Sequence, residues 1–170
     1  MYQLSVLVHL LAATVWVGGM LFLALVAVPA TRGLSPAERG ALIGALGRRF
    51  RVIGWACVAL LVITGAINTA YRGVTWESIA SGRLLESEFG RLLALKLAVV
   101  AAMVAVTAYH DFVVGPAGLR LLERHTGSDA ATTAEVARLR RRASWLARLG
   151  TLLALLILAL AVALVRGLPW

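Results

Sequence analysis

Four long apolar runs divide the chain: Leu4 to Val28, Val52 to Tyr71, Leu92 to Val114 and Leu146 to Val165. Each holds about twenty residues or more, enough to cross a hydrocarbon core of about 30 Å as a helix. None shows the strict apolar–polar alternation of a barrel strand, and backbone polarity in lipid must be satisfied within the segment, so the pattern predicts helices. The expected fold is all-α, an integral membrane four-helix bundle forming a single domain over residues 1–170. The first run lacks a basic flank, is too long for a signal core and has no small-x-small cleavage site after it, and so reads as a retained helix.

The connections carry their own signals. Ser35-Pro36-Ala37-Glu38 has the form of a capping box with proline at the first helical position, so a helix is expected to start near Pro36 and run into the second span. The polar stretch "RGVTWESIASGRLLESEFG" is expected to hold a short surface helix, with Trp76 at the membrane interface. Gly115-Pro116 is expected to end the third span. "RHTGSDAATT" reads as a loop, and Ala134 onward as a basic extension leading into the fourth span. Trp145 and Trp170 flank that span as belt residues. No internal repeat or low-complexity tract is evident.

Composition agrees with the pattern: 61% of residues are hydrophobic, 15% are charged and the mean hydropathy is +0.87. A net charge of +9 raises the question of nucleic acid, and its distribution answers it. With four spans, Arg32, Arg39, Arg48, Arg49, Arg51, Arg120, Arg124, Arg138, Arg140, Arg141, Arg142 and Arg148 fall on one side. Only Arg72, Arg83, Arg91 and Arg166 fall on the other, offset by Glu77, Glu86 and Glu88. This is the positive-inside pattern, which puts both termini outside the cytoplasm. The arginines are then explained by topology and by anionic lipids at the cytoplasmic face, with no nucleic-acid partner. Cys57 is the one cysteine, so no intrachain disulfide exists and the redox compartment is left open.

Polar groups inside the spans are the candidate chemistry, because they are costly there. Helix rise brings His9 on the first span, Asn68 and Tyr71 on the second, and Lys96 on the third to one layer near the outer face. Lys96 is the only lysine in the chain. Residues seven or eleven apart share a helix face. That links His9 with Trp16 and Met20, Asn68 with Leu61 and Cys57, and Lys96 with Met103 and His110, giving one unusual stripe per helix. The fourth span offers Thr151 and otherwise a packing wall. Structural alternatives stand beside each candidate: a backbone-bonded His9, a snorkelling Lys96, an interhelical hydrogen bond for Asn68, and simple packing for Trp16, Met20, Met103 and Cys57. Gly18-Gly19 with Ala12 and Ala13 allow close helix approach and equally leave room for a flat cofactor. His110-Asp111 lies about 20 Å from Lys96 by helix rise, too far to share a small site with His9.

"VHLLAATVWVGGMLF", "LLVITGAIN" and "FGRLLALKLAVVAAMVAVTA", in that order, resemble the helix blocks of the copper resistance protein D (CopD) family. The resemblance implies a bacterial inner-membrane protein handling copper, often with a periplasmic copper carrier as partner, and maps onto His9, Trp16, Gly19, Asn68 and Lys96. The first-helix histidine and third-helix lysine are also similar to HemJ-type protoporphyrinogen oxidases. That likeness implies haem b, ligated by His9, with a functional role for Lys96.

Three functional classes follow. Copper handling would draw on the imidazole and soft ligands His9, Met20, Met103, Cys57 and His110 as a ladder across the membrane. It requires a neutral Lys96 or one turned away, since an ammonium beside His9 repels a cation. Haem b would place anionic propionates against Lys96 or Arg91 with iron on His9. A non-catalytic subunit of a larger complex would use the helix faces for packing alone.

Overall fold

The computed structural model describes residues 1–117 and 130–166. All the regular structure among them is helical. Helix α1 spans Tyr2–Phe22, and its path continues as helix through Gly33. Helix α2 spans Pro36–Tyr71, α3 Trp76–Ala80, α4 Glu88–Tyr109 and α5 Ala130–Arg166. Four helical stretches, Tyr2–Gly33, Ala37–Tyr71, Glu88–Ala117 and Ala134–Arg166, are long and apolar enough to cross a membrane. Contacts divide the chain into two compact units, Met1–Arg91 and Leu92–Trp170.

In the first unit, α1 and α2 form an antiparallel hairpin. The capping box expected at its turn is present. Ser35 Oγ accepts from the Glu38 N–H at 3.3 Å while the Glu38 carboxylate accepts from the Ser35 N–H at 3.0 Å. Lipid gives apolar helix faces no reason to leave it, so helices associate through close packing around small residues. Here each close approach sets a ring on one helix against a glycine on the other. A Cβ added at Gly19 would run into the Phe50 ring; one at Gly54 would lie 3.5 Å from Trp16 Cδ1, and one at Gly65 would lie 3.5 Å from His9 Cε1. Tyr2 and Tyr71 close the hairpin at its other end, ring centroids 5.3 Å apart. Ala12, Trp16, Val17, Cys57 and Val58 are buried, whereas Leu7, Leu10, Leu11, Val62 and Ile63 are exposed, as lipid-facing positions should be.

Beyond α2, the expected surface helix is α3, held by its own reciprocal cap between Thr75 and Ser78. Trp76 on it is 82% exposed, as an interface residue would be. A left-handed Gly82 (φ 76°) turns the chain into a 3₁₀ turn, and Ser87 Oγ caps α4 by accepting from the Gly90 N–H at 3.0 Å. Gly90 is required there, because any Cβ would collide with the Leu84 carbonyl.

In the second unit, α5 packs on the helical turn His110–Val114, with Val114 and Ala154 buried. Two boundaries differ from expectation. Helix α5 begins at Ala130, so the last residues of "RHTGSDAATT" are helical, in keeping with an alanine-rich start. Helix also continues through Gly115-Pro116 to Ala117. The reason is a π turn at His110–Val114, where the Gly115 N–H bonds to the His110 carbonyl five residues back. A proline lacks the N–H and crowds the carbonyl four residues earlier; widening the preceding turn relieves that conflict. The first unit repeats the device, with a π turn at Leu23–Ala27, the Val28 N–H bonded to the Leu23 carbonyl, and Pro29 next. Arg120, Arg124 and Trp170, named in the charge and belt readings, lie outside the described residues.

Replacing Gly19 with valine is expected to destabilise the hairpin by about 1–3 kcal/mol through overpacking against Phe50. Thermal unfolding in detergent measures it. The Phe50→Ala background should recover most of the loss, as a double-mutant cycle requires of two groups in contact.

Candidate functional site

Three polar residues of the first hairpin, Ser5, His9 and Thr64, meet at one point. His9 Nδ1 lies 2.8 Å from Thr64 Oγ1, and Thr64 Oγ1 donates to the Leu60 carbonyl at 2.6 Å. Ser5, one turn before His9, reaches the Thr64 carbonyl at a long 3.5 Å. Thr64 and Ser5 are buried, and His9 is half-buried. A half-buried imidazole in an apolar hairpin is thus anchored by a hydroxyl, with its Cε1 beside Gly65.

The register sharpens the layer expected from helix rise. His9 stands level with Thr64 and Gly65, so Asn68 lies one turn nearer the loop end of α2, about 6 Å along the axis. Asn68 Oδ1 is buried with no hydrogen-bond partner among the described residues. Trp16 packs on Gly54 and Gly19 on Phe50, so both belong to the hairpin seam. Cys57 is buried and Met20 half-buried in the same unit. Arg91, at the end of this unit, is exposed and donates to the Glu86 carbonyl at 3.1 Å, which ties it to the 3₁₀ turn.

The other candidates belong to the second unit. Lys96 is half-buried and Met103 is fully buried, at 0% exposure. His110 Nδ1 lies 3.0 Å from Asp111 Oδ1, at the head of the second π turn. The stripe linking Lys96, Met103 and His110 is thus the less exposed side of its helix, with Leu95, Leu97 and Tyr109 exposed beside it. Among the described residues, no three His, Cys, Asp or Glu side chains cluster as a metal cage. An open depression on α5 is lined by Arg141, Ser144, Trp145 and Arg148, with the Arg148 guanidinium 5.5 Å from the Trp145 ring centroid.

Thr64 and Ser5 were missed as site residues. The signal for Thr64 was present, since it lies seven residues after Cys57 and four before Asn68 on the stripe already drawn.

Against known proteins, the family described as copper resistance protein D matches residues 44–164. This chain belongs to the copper resistance protein D family. CopD membership and four membrane-length helices together make it a multi-pass membrane protein related to copper resistance. The match includes Asn68, Lys96, Cys57, Met103 and His110, whereas His9 precedes it. An uncharacterized protein of Aquifex aeolicus (strain VF5) is 30% identical over 168 residues, covering 98% of this chain and 97% of that protein. No solved structure matches.

Substituting Asn68 with leucine is expected to leave the unfolding temperature unchanged or to raise it. An orphaned buried acceptor carries a desolvation cost of about 1–3 kcal/mol that an apolar side chain of similar size removes. A clear fall in unfolding temperature would mean that Oδ1 has a structural partner.

Proposed function

We propose that this CopD-family protein passes or sequesters copper through a polar site near the outer face of the bacterial inner membrane, with His9 as its imidazole ligand. The observation that supports this most is the His9–Thr64 hydrogen bond inside the first hairpin. An imidazole held by one nitrogen is the usual state of a metal-binding histidine, and desolvating such a group in a membrane span is rarely done without use. The absence of a three-residue cage among the described residues suits cargo. An ion in transit needs stations it can leave, since conduction fails where binding is too tight. Met20 and Cys57, then Met103 and His110, are the further soft or imidazole stations of this reading, and Asn68 Oδ1 is an acceptor available to the site. Lys96 is the charged candidate of the second unit in this reading.

Both termini outside the cytoplasm, a periplasmic copper carrier as donor or acceptor, and anionic lipid headgroups at the Arg141–Arg148 depression complete the proposal. An arginine fork matches phosphate oxygens, and two of them with Ser144 and Trp145 at the start of an apolar span suit the headgroup region.

Haem b is the second reading, and one observation favours it. His9 is a single well-held imidazole lying over glycine, and a porphyrin brings four nitrogens of its own, so one protein ligand suffices. Lys96 is then the candidate partner for the propionates, and Arg91, bound to its own turn, the weaker one.

Absorption spectroscopy and copper analysis of the purified protein separate the two. A colourless protein whose copper is lost in His9→Ala is the expected result; a Soret band lost in the same variant establishes haem instead. Retention of all bound copper by His9→Ala sinks the proposal. Lys96→Met is expected to abolish copper tolerance in a complementation assay, and unchanged tolerance would make Lys96 a snorkelling side chain only.

A further inference from the structure

We infer that Thr64 is the positioning residue of the His9 site. Its hydroxyl holds the neutral imidazole in the tautomer that carries the lone pair on Nε2, making Nε2 the atom that meets the metal. The purpose of this device rests on the copper-handling reading; its content rests on hydrogen-bond counting.

A threonine hydroxyl has one hydrogen and two lone pairs, and a backbone carbonyl can only accept. Thr64 Oγ1 approaches the Leu60 carbonyl oxygen to 2.6 Å. Two oxygens that close need a proton between them, and only the hydroxyl has one to give. The 2.8 Å contact between Thr64 Oγ1 and His9 Nδ1 must therefore draw its proton from the ring, so Nδ1–H donates and the threonine oxygen accepts. A neutral imidazole has one N–H, and which nitrogen is left to ligate is decided by the hydrogen bond the other makes. Nδ1 is committed, and Nε2 carries the lone pair.

Two further contacts surround the pair. His9 Cε1, next to Nδ1, lies against Gly65, where an added Cβ would sit at 3.5 Å. Ser5 on α1 reaches the Thr64 carbonyl, which ties the threonine to the helix that bears the histidine. A carboxylate would orient the ring equally well, at the cost of a charge buried among apolar side chains. Threonine does it without one.

The test uses full-length protein labelled with 15N-histidine in detergent micelles without copper, with the His9 signals assigned by their loss in His9→Ala. Ring-nitrogen chemical shifts are expected to show His9 protonated at Nδ1 and bare at Nε2 in the wild type. Thr64→Val, close in shape and lacking the acceptor, should shift His9 to the other tautomer or a mixture and weaken Cu(I) affinity about 10–100-fold. Thr64→Ser should restore both. Wild-type protein with its proton on Nε2, or a Thr64→Val tautomer like the wild type, overturns the inference whatever copper does. The expected tautomer shift in a protein that binds no Cu(I) upholds the positioning role and removes the copper reading instead.

Discussion

The hairpin of α1 and α2 depends on rings lying over glycines. In lipid, leucine against leucine gains nothing over leucine against an acyl chain, so the helices meet at close approaches, of which Gly19 is the one where only a missing side chain leaves room for the facing ring. Phe50 over Gly19, Trp16 over Gly54 and His9 over Gly65 form three such contacts along one line. In the same register His9 meets Thr64 and Gly65. The polar site is thus a product of the packing seam.

The same seam joins two parts of the chain that differ in how they relate to the family. Residues 44–164 carry the CopD match and include Thr64, while His9 comes from the helix before it. Copper and haem readings agree on this pair and diverge on what approaches it. The contacts described for His9 are the Thr64 hydroxyl and the Gly65 backbone, with the Asn68 amide oxygen one turn away. Many fixed charges in the described structure lie on the long N-terminal portions of α2 and α5 and on the Trp76–Glu86 connection, where Arg83 pairs with Glu77, while Lys96 and Asp111 lie within the third membrane-length helix.

Much of this was legible from residues alone because lipid narrows the possibilities. Span positions, the Ser35 capping box and the surface helix at Trp76 all followed from hydropathy and cap chemistry. His9 was legible as a polar residue of the first apolar helix, but its partner was not. Counting rise from the span ends assumed that helices enter the membrane level with each other, and the Tyr2–Tyr71 and ring-on-glycine contacts shift α2 by one turn. Threonine hid for a second reason: in a helix its hydroxyl ordinarily returns to its own backbone, as Thr14, Thr69 and Thr151 do. Only a cross-helix contact distinguishes Thr64 from them, and no single-helix pattern contains it.

The paired π turns carry a consequence for the azimuth of everything after them. One extra residue in a turn rotates the downstream helix by about 100° relative to an unbroken count. Face assignments made from His9 or Lys96 therefore do not carry past the π turns at Leu23–Ala27 and His110–Val114. Beyond these points Pro29 and Pro116 are presented at angles that a uniform helix would give to a neighbouring residue. Each half of the chain thus has its membrane-buried stripe and its exit segment facing independently, like two sections of shaft joined by a keyed coupling.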